Sequence, residues 1–159
     1  MIEHGVVFGS TRYVTEADLD AAIRLTGGTH PVHTSDEAAL SAGFKGRIFH
    51  GPVTAAILTA AIGAHFSHEQ IAIVEQSQAY KRPVYPGDNL SSRWWVEKVT
   101  EHKGRNPSSV VLELSGELKN QHDEIVISGR AKVLVLNSQP LARDVDSSAN
   151  ESRNFNIDF

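Results

Sequence analysis

A chain of 159 residues fits one domain and can bury a core without disulfide or metal staples. Its 40% hydrophobic and 21% charged residues are ordinary for a globular protein. A net charge of −4 without long runs of either sign argues against nucleic acid as the main partner, and the absence of cysteine excludes thiol catalysis, disulfides and thiolate metal sites.

The N-terminal stretch MIEHGVVFGS lacks the basic segment and apolar core of a signal peptide. The longest apolar run falls short of the roughly 20 residues that span a bilayer, so no membrane contact and a cytoplasmic location are expected. Residues 6–14 read as an opening strand. Thr15 and Asp18 form a capping-box pair, and Leu19, Ala22, Ile23 and Leu25 give the following helix an apolar stripe. Gly27 and Gly28 end it, because glycine takes the left-handed cap conformation at little cost. A second short helix is expected from Thr34, with Glu37 as its box partner, to about Gly43. TGGTHPVH, residues 26–33, then reads as a tight inter-helix loop stiffened by Pro31.

Pro52 suits the first turn of a helix. Residues 53–66 are apolar on nearly every face and rich in alanine, the pattern of a helix buried on all sides. A curved sheet wrapped around it is the economical solution in so small a chain. Residues 71–80, 90–99, 110–118 and 125–136 are strand-like, rich in Val, Ile, Trp and Tyr, and separated by the turn signals RPVYPGDN, EHKGRNP and NQHDE. A long buried helix followed by an antiparallel meander gives an α+β class. Adjacent Trp94 and Trp95 should face opposite sides of their strand, one covering the central helix. After Asn137 the chain turns polar, so residues 138–159 are expected to be a flexible tail behind a domain of residues 1–137.

The order GGTHPVH, GRIFHGPVTAAIL and YKRPVYPGDNL resembles the MaoC-like dehydratases, hot-dog-fold hydratases that act on acyl-CoA thioesters with R stereochemistry. The likeness runs over about residues 14–136. RIFHG at the start of the long helix and RPVYPGD at a strand turn are its most specific pieces. It implies a single hot-dog domain, a long buried helix wrapped by a curved antiparallel sheet. The family's loop reads glycine, aspartate, any residue, asparagine, proline, any residue, histidine. Gly27, Pro31 and His33 match it; His30 stands where the asparagine would be, and Gly28 where the aspartate would be. In the family that aspartate and histidine together activate a water, so half of the pair is missing here.

On this resemblance His33 is the candidate acid/base, since histidine titrates near working pH. Without it, a loop histidine that caps a helix or bonds a carbonyl is the better reading. The Gly51 amide, at the start of the buried helix, is the candidate oxyanion donor, where such a donor typically contributes about 3 kcal/mol to lowering the barrier. It also serves as a plain helix start, and the two roles are compatible. His30 either helps His33 hold a water or only replaces a structural hydrogen bond, the second being favoured. Gly28 would border the substrate. Asp36 and Glu37 read as first-turn acids that suit the helix dipole, and His50 as a helix cap or packing residue. Lys45, Lys81 and Arg82 are candidates for CoA phosphates, or solvated charges. His4, His65, His68, His102 and His122 show no metal-like grouping.

The reading is therefore a hydratase or dehydratase of enoyl or 3-hydroxyacyl thioesters, carried by CoA or a carrier protein, with no cofactor and no metal. Two alternatives stand beside it: a non-catalytic acyl-thioester-binding or partner subunit, and a thioesterase. Absence of any acid from residues 53–66 counts against the thioesterase. An exposed sheet edge and a half-formed pocket imply a homodimer or higher homo-oligomer.

Overall fold

The computed structural model describes residues 3–101 and 109–136. In chain order they form β1 (Val7–Tyr13), α1 (Glu16–Thr26), α2 (Pro31–Thr34), α3 (Asp36–Ser41), α4 (Gly51–His65), β2 (Gln70–Tyr80), β3 (Asn89–Glu101), β4 (Val110–Lys119) and β5 (Ile125–Leu136). The five strands make one antiparallel sheet in the order β1-β3-β4-β5-β2, with β1 and β2 at its edges. This is the expected α+β hot-dog arrangement of one long helix against an antiparallel sheet, but only β3-β4-β5 run as a meander: β2 crosses over to pair with β5 instead of its sequence neighbour β3. Register shifts at Ile73/Glu75 and Val96/Lys98 mark bulges, which bend a sheet and let it curl over a helix.

Trp94 joins the two layers. Its side chain is fully buried, and its indole Nε1–H donates to the carbonyl of Leu58 on α4 at 2.8 Å. The ring fits because its register partner on β4 is Gly116, itself opposite Gly129 on β5. A Cβ on Gly116 would lie 2.3 Å from the indole. Trp95 points the other way and donates to Glu97, as the alternation of a strand requires.

Thr15 and Asp18 make the expected reciprocal box, Thr15 Oγ1 accepting from Asp18 N at 3.1 Å and Asp18 Oδ2 from Thr15 N at 2.8 Å. Gly27 closes α1 in the left-handed conformation, φ 65°, its N–H donating to Ile23 O. The following segment differs from the sequence expectation. It is not one loop: Pro31 at the first helical position starts α2, so His33 lies inside a helical turn. The next helix takes Ser35 as its N-cap instead of Thr34.

The long helix starts at Gly51, two residues earlier than the apolar pattern suggests, because Pro52 is tolerated in the first turn. Thr54, Ala55, Leu58, Ala61 and Ile62 face the sheet and are buried. The helix is not covered on every side, however: Ala56, Ala60, Gly63 and Ala64 remain exposed. One five-stranded sheet covers one flank of a cylinder. The turn EHKGRNP, apart from its first residue, and the expected tail at residues 138–159 lie outside the described residues.

Candidate active site

Two chain segments meet at the N-terminus of α4. The first runs from Gly28 into α2; the second is the extended stretch of residues 47–51. Backbone bonds hold the second in place one residue at a time. Arg47 N donates to Asp36 Oδ1 at 3.0 Å, Ile48 N to Val32 O at 3.1 Å, and Phe49 N to Val84 O at 2.9 Å. Asp36 thus braces this stretch from α3, a more specific task than the helix-dipole role read from sequence. Arg47 itself is held by Glu16 and Asp20 on α1.

His33 projects from α2 towards this stretch. Its Nδ1 lies 2.8 Å from Ile48 O. A carbonyl only accepts, so Nδ1 carries the proton and, in the neutral ring, Nε2 keeps a bare lone pair. Burial holds the His33 imidazole below the ordinary histidine value of 6.5. The Ile48 bond opposes this, and the nearby His50 and His30 add to the lowering. The neutral, base-competent form therefore persists below the pH at which a free histidine would charge.

His50 takes the N-cap position of α4 but makes no side-chain cap bond. Its ring instead turns back onto the first segment. Nε2 donates to Gly28 O at 2.9 Å, and the ring stacks on His33 with centroids 3.8 Å apart and planes 27° apart. His50 is only 9% exposed, and its Nδ1 is buried without a hydrogen-bond partner. Sequence reasoning read this residue as a helix cap or packing residue; it sits at the cap position and packs, but its ring bonds Gly28 O and not the helix. Its placement depends on Gly28, 22 positions away, where a Cβ would come within 2.3 Å of His50 Nε2. Gly28 in turn is fixed by its N–H to Thr26 Oγ1, 3.1 Å, and that hydroxyl donates to Ala22 O.

Gly51 follows His50 directly and is the first residue of α4, so no intrahelical carbonyl takes its N–H. Among the described residues nothing else accepts from it. The Tyr80 ring, from the end of β2, covers the α-carbon of Gly51: an added Cβ would lie 3.0 Å from Tyr80 Cε1. Gly51 and Tyr80 border a cavity of about 280 Å³ that Phe44, Ile48, Phe49 and Thr54 also line. Lys81 and Arg82 sit at its rim, although Arg82 already pairs with Glu124. Lys45 belongs to a separate cleft, beside Arg47 and Tyr85.

His33 and Gly28 are thus brought together through His50, which touches both, while Gly51 follows His50 in the chain and borders a cavity whose lining does not include His33. His30 stands apart. It caps α2, its Nδ1 accepting from Val32 N at 3.4 Å, and its ring centroid lies 6.2 Å from that of His33. The histidine that pairs with His33 is His50. Among the described residues no three His, Cys, Asp or Glu side chains gather as a metal site would; His102 lies outside them. No helix among them is long and apolar enough to cross a membrane.

A family model described as "MaoC like domain" matches residues 1–117. The mitochondrial 3-hydroxyacyl-[acyl-carrier-protein] dehydratase of Arabidopsis thaliana is 27% identical over 144 residues, covering 90% of this chain and 83% of that protein. An (R)-specific enoyl-CoA hydratase of Rhodospirillum rubrum is 26% identical over 134 residues, covering 84% and 88%. Among solved structures, the MaoC-like dehydratase from Rhodospirillum rubrum superposes with a TM-score of 0.74 at 26% identity, covering 88% of this chain and 96% of that one.

Proposed function

The chain belongs to the MaoC-like domain family, and from that premise we propose that it is a hydratase or dehydratase of enoyl and 3-hydroxyacyl thioesters, with His33 as the acid/base and the Gly51 amide as the oxyanion donor. The observation that carries this reading is the bond from His33 Nδ1 to Ile48 O, which leaves Nε2 as a lone-pair base on the ring stacked against the residue preceding Gly51.

In the hydration direction, a water bonded to His33 Nε2 gives that nitrogen a proton as its oxygen adds to C3 of the enoyl chain. The double-bond electrons move to the thioester oxygen, which the Gly51 N–H stabilises at the positive end of the helix dipole. The proton then passes from His33 to C2 and the thioester carbonyl re-forms. The reverse sequence removes water. One base serves both transfers, so no carboxylate is needed to keep the proton count. In a triad the orienting acid holds the imidazole tautomer; here the Ile48 carbonyl supplies that bond. His30 caps α2, the helical turn that carries His33.

Both kinds of thioester carrier are represented among the relatives, an acyl-carrier protein in one name and CoA in another. A homodimer fits the open β2 edge, where Ile73 and Val74 are more than one-third exposed, and the uncovered alanine face of α4. Its mass in solution checks that point.

The test of function is incubation with crotonyl-CoA and with longer and carboxylated enoyl-CoAs, following enoyl absorbance and free thiol separately. Loss of absorbance without thiol is expected. Thiol release instead would make the protein a thioesterase, a reading disfavoured by a long helix, Gly51–His65, that contains no carboxylate. Binding without either change would make it a non-catalytic acyl-thioester-binding subunit.

A further inference from the structure

Resting on the reading of His33 as base, we infer that His50 is the positioning residue of this site. Seated in the volume that a side chain at position 28 would fill, it stands in for the missing carboxylate by fixing the plane of the His33 ring.

Three observations converge on it. The His50 ring lies against that of His33 at 3.8 Å, near-parallel, so His33 cannot tilt without moving it. His50 is held from the other side by Gly28, whose carbonyl takes the Nε2 proton at 2.9 Å. That bond exists only because residue 28 has no side chain: a Cβ there would overlap Nε2 at 2.3 Å and Cδ2 at 2.7 Å. The third is Nδ1, buried without any partner although it belongs to the N-cap residue of a long helix. A serine or aspartate there would bond a free amide of the first turn. A buried imidazole nitrogen left unpaired costs free energy and calls for an explanation. Holding His33 supplies one, since the ring is kept where it serves the neighbouring imidazole and not the helix.

The division of labour is then complete. Ile48 O fixes which nitrogen of His33 carries the proton, and the His50 face fixes where the other nitrogen points. Gly28 is therefore the seat of a second ring, in place of a lost catalytic group.

The experiment measures kcat and KM for hydration of crotonyl-CoA by the full chain and four variants. His50→Gln keeps an amide N–H that reaches Gly28 O but removes the ring face. It should fold, keep KM within about three-fold and lose about 100-fold in kcat, the usual penalty for a misplaced catalytic group. Gly28→Asp leaves His50 in the sequence but forces its ring out, and should give the same kcat loss. Combining Gly28→Asp with His50→Ala puts a carboxylate into emptied space and should recover at least ten-fold over Gly28→Asp alone. A kcat for His50→Gln within three-fold of wild type, or a Gly28→Asp enzyme as fast as wild type, would overturn the inference. His33→Ala serves as the control for the underlying reading: if it stays active, the assignment of the base fails, whatever His50 does.

Discussion

His33 Nδ1 and the carbonyl oxygen of Ile48 lie 2.8 Å apart, and this one bond decides the chemistry available to the imidazole. It commits the proton to Nδ1 and the lone pair to Nε2, so the neutral ring keeps one nitrogen free to act as a base. Burial, which holds the ring below the ordinary histidine value, keeps it in that form.

The first prediction concerns activity against pH. The base must be unprotonated, so kcat/KM should fall on the acid side with a midpoint below 6.5, the ordinary value for a free histidine. Initial rates of crotonyl-CoA hydration between pH 5 and 9 measure it. An acid limb centred above 6.5 would contradict the burial argument.

Stability should respond to pH in the same window. Burial lowers His33, and desolvation lowers His65, whose ring stacks on Phe8 at 4.0 Å. The unfolded chain therefore binds protons more readily than the folded one. Their contribution is fully present above about 6.5 and is lost as pH falls from there towards the folded-state values. Urea midpoints should decline over that range, and His65→Phe should flatten part of the decline.

Much of this fold is legible in the sequence because its signals are local. The Thr15/Asp18 box, the glycine stop at Gly27 and the period-two strands each depend on neighbours a few residues away. The helical turn at Pro31–Thr34 was missed because four residues carry too little pattern to compete with a glycine-rich loop. The contacts of His50 with His33 and Gly28 were missed for a different reason. Its N-cap position is visible in sequence, but the free volume at Gly28 that draws its ring away is a property of two distant segments meeting. Likewise, the apolar composition of α4 does not say which faces the sheet covers, and Ala56, Ala60, Gly63 and Ala64 stay exposed.

The glycine floor beneath Trp94 gives a stability prediction remote from the chemistry. Gly116→Ala places a methyl 2.3 Å from a fully buried indole that also holds α4 through Leu58 O. Overpacking of this kind typically costs about 1–3 kcal/mol, and the upper end is expected because the ring has no room to withdraw. Chemical denaturation with tryptophan fluorescence measures both the loss and any displacement of the ring.

Gly51→Ala tests access to the oxyanion donor without removing it. The new methyl meets Tyr80 at 3.0 Å, and since Tyr80 is 52% exposed its ring can yield, so the fold should survive. The methyl then stands beside the amide where the thioester must approach. A fall of about 10- to 100-fold in kcat/KM is expected, in line with loss of one oxyanion contact. Rates equal to wild type would remove Gly51 from the site.

The decisive measurement is the rate at which His33→Ala hydrates crotonyl-CoA. A drop of about 1000-fold, within the range for loss of a general acid/base, is the result the account predicts, with the substrate still bound. Turnover within a few-fold of wild type would contradict it and leave the stacked imidazoles as architecture alone.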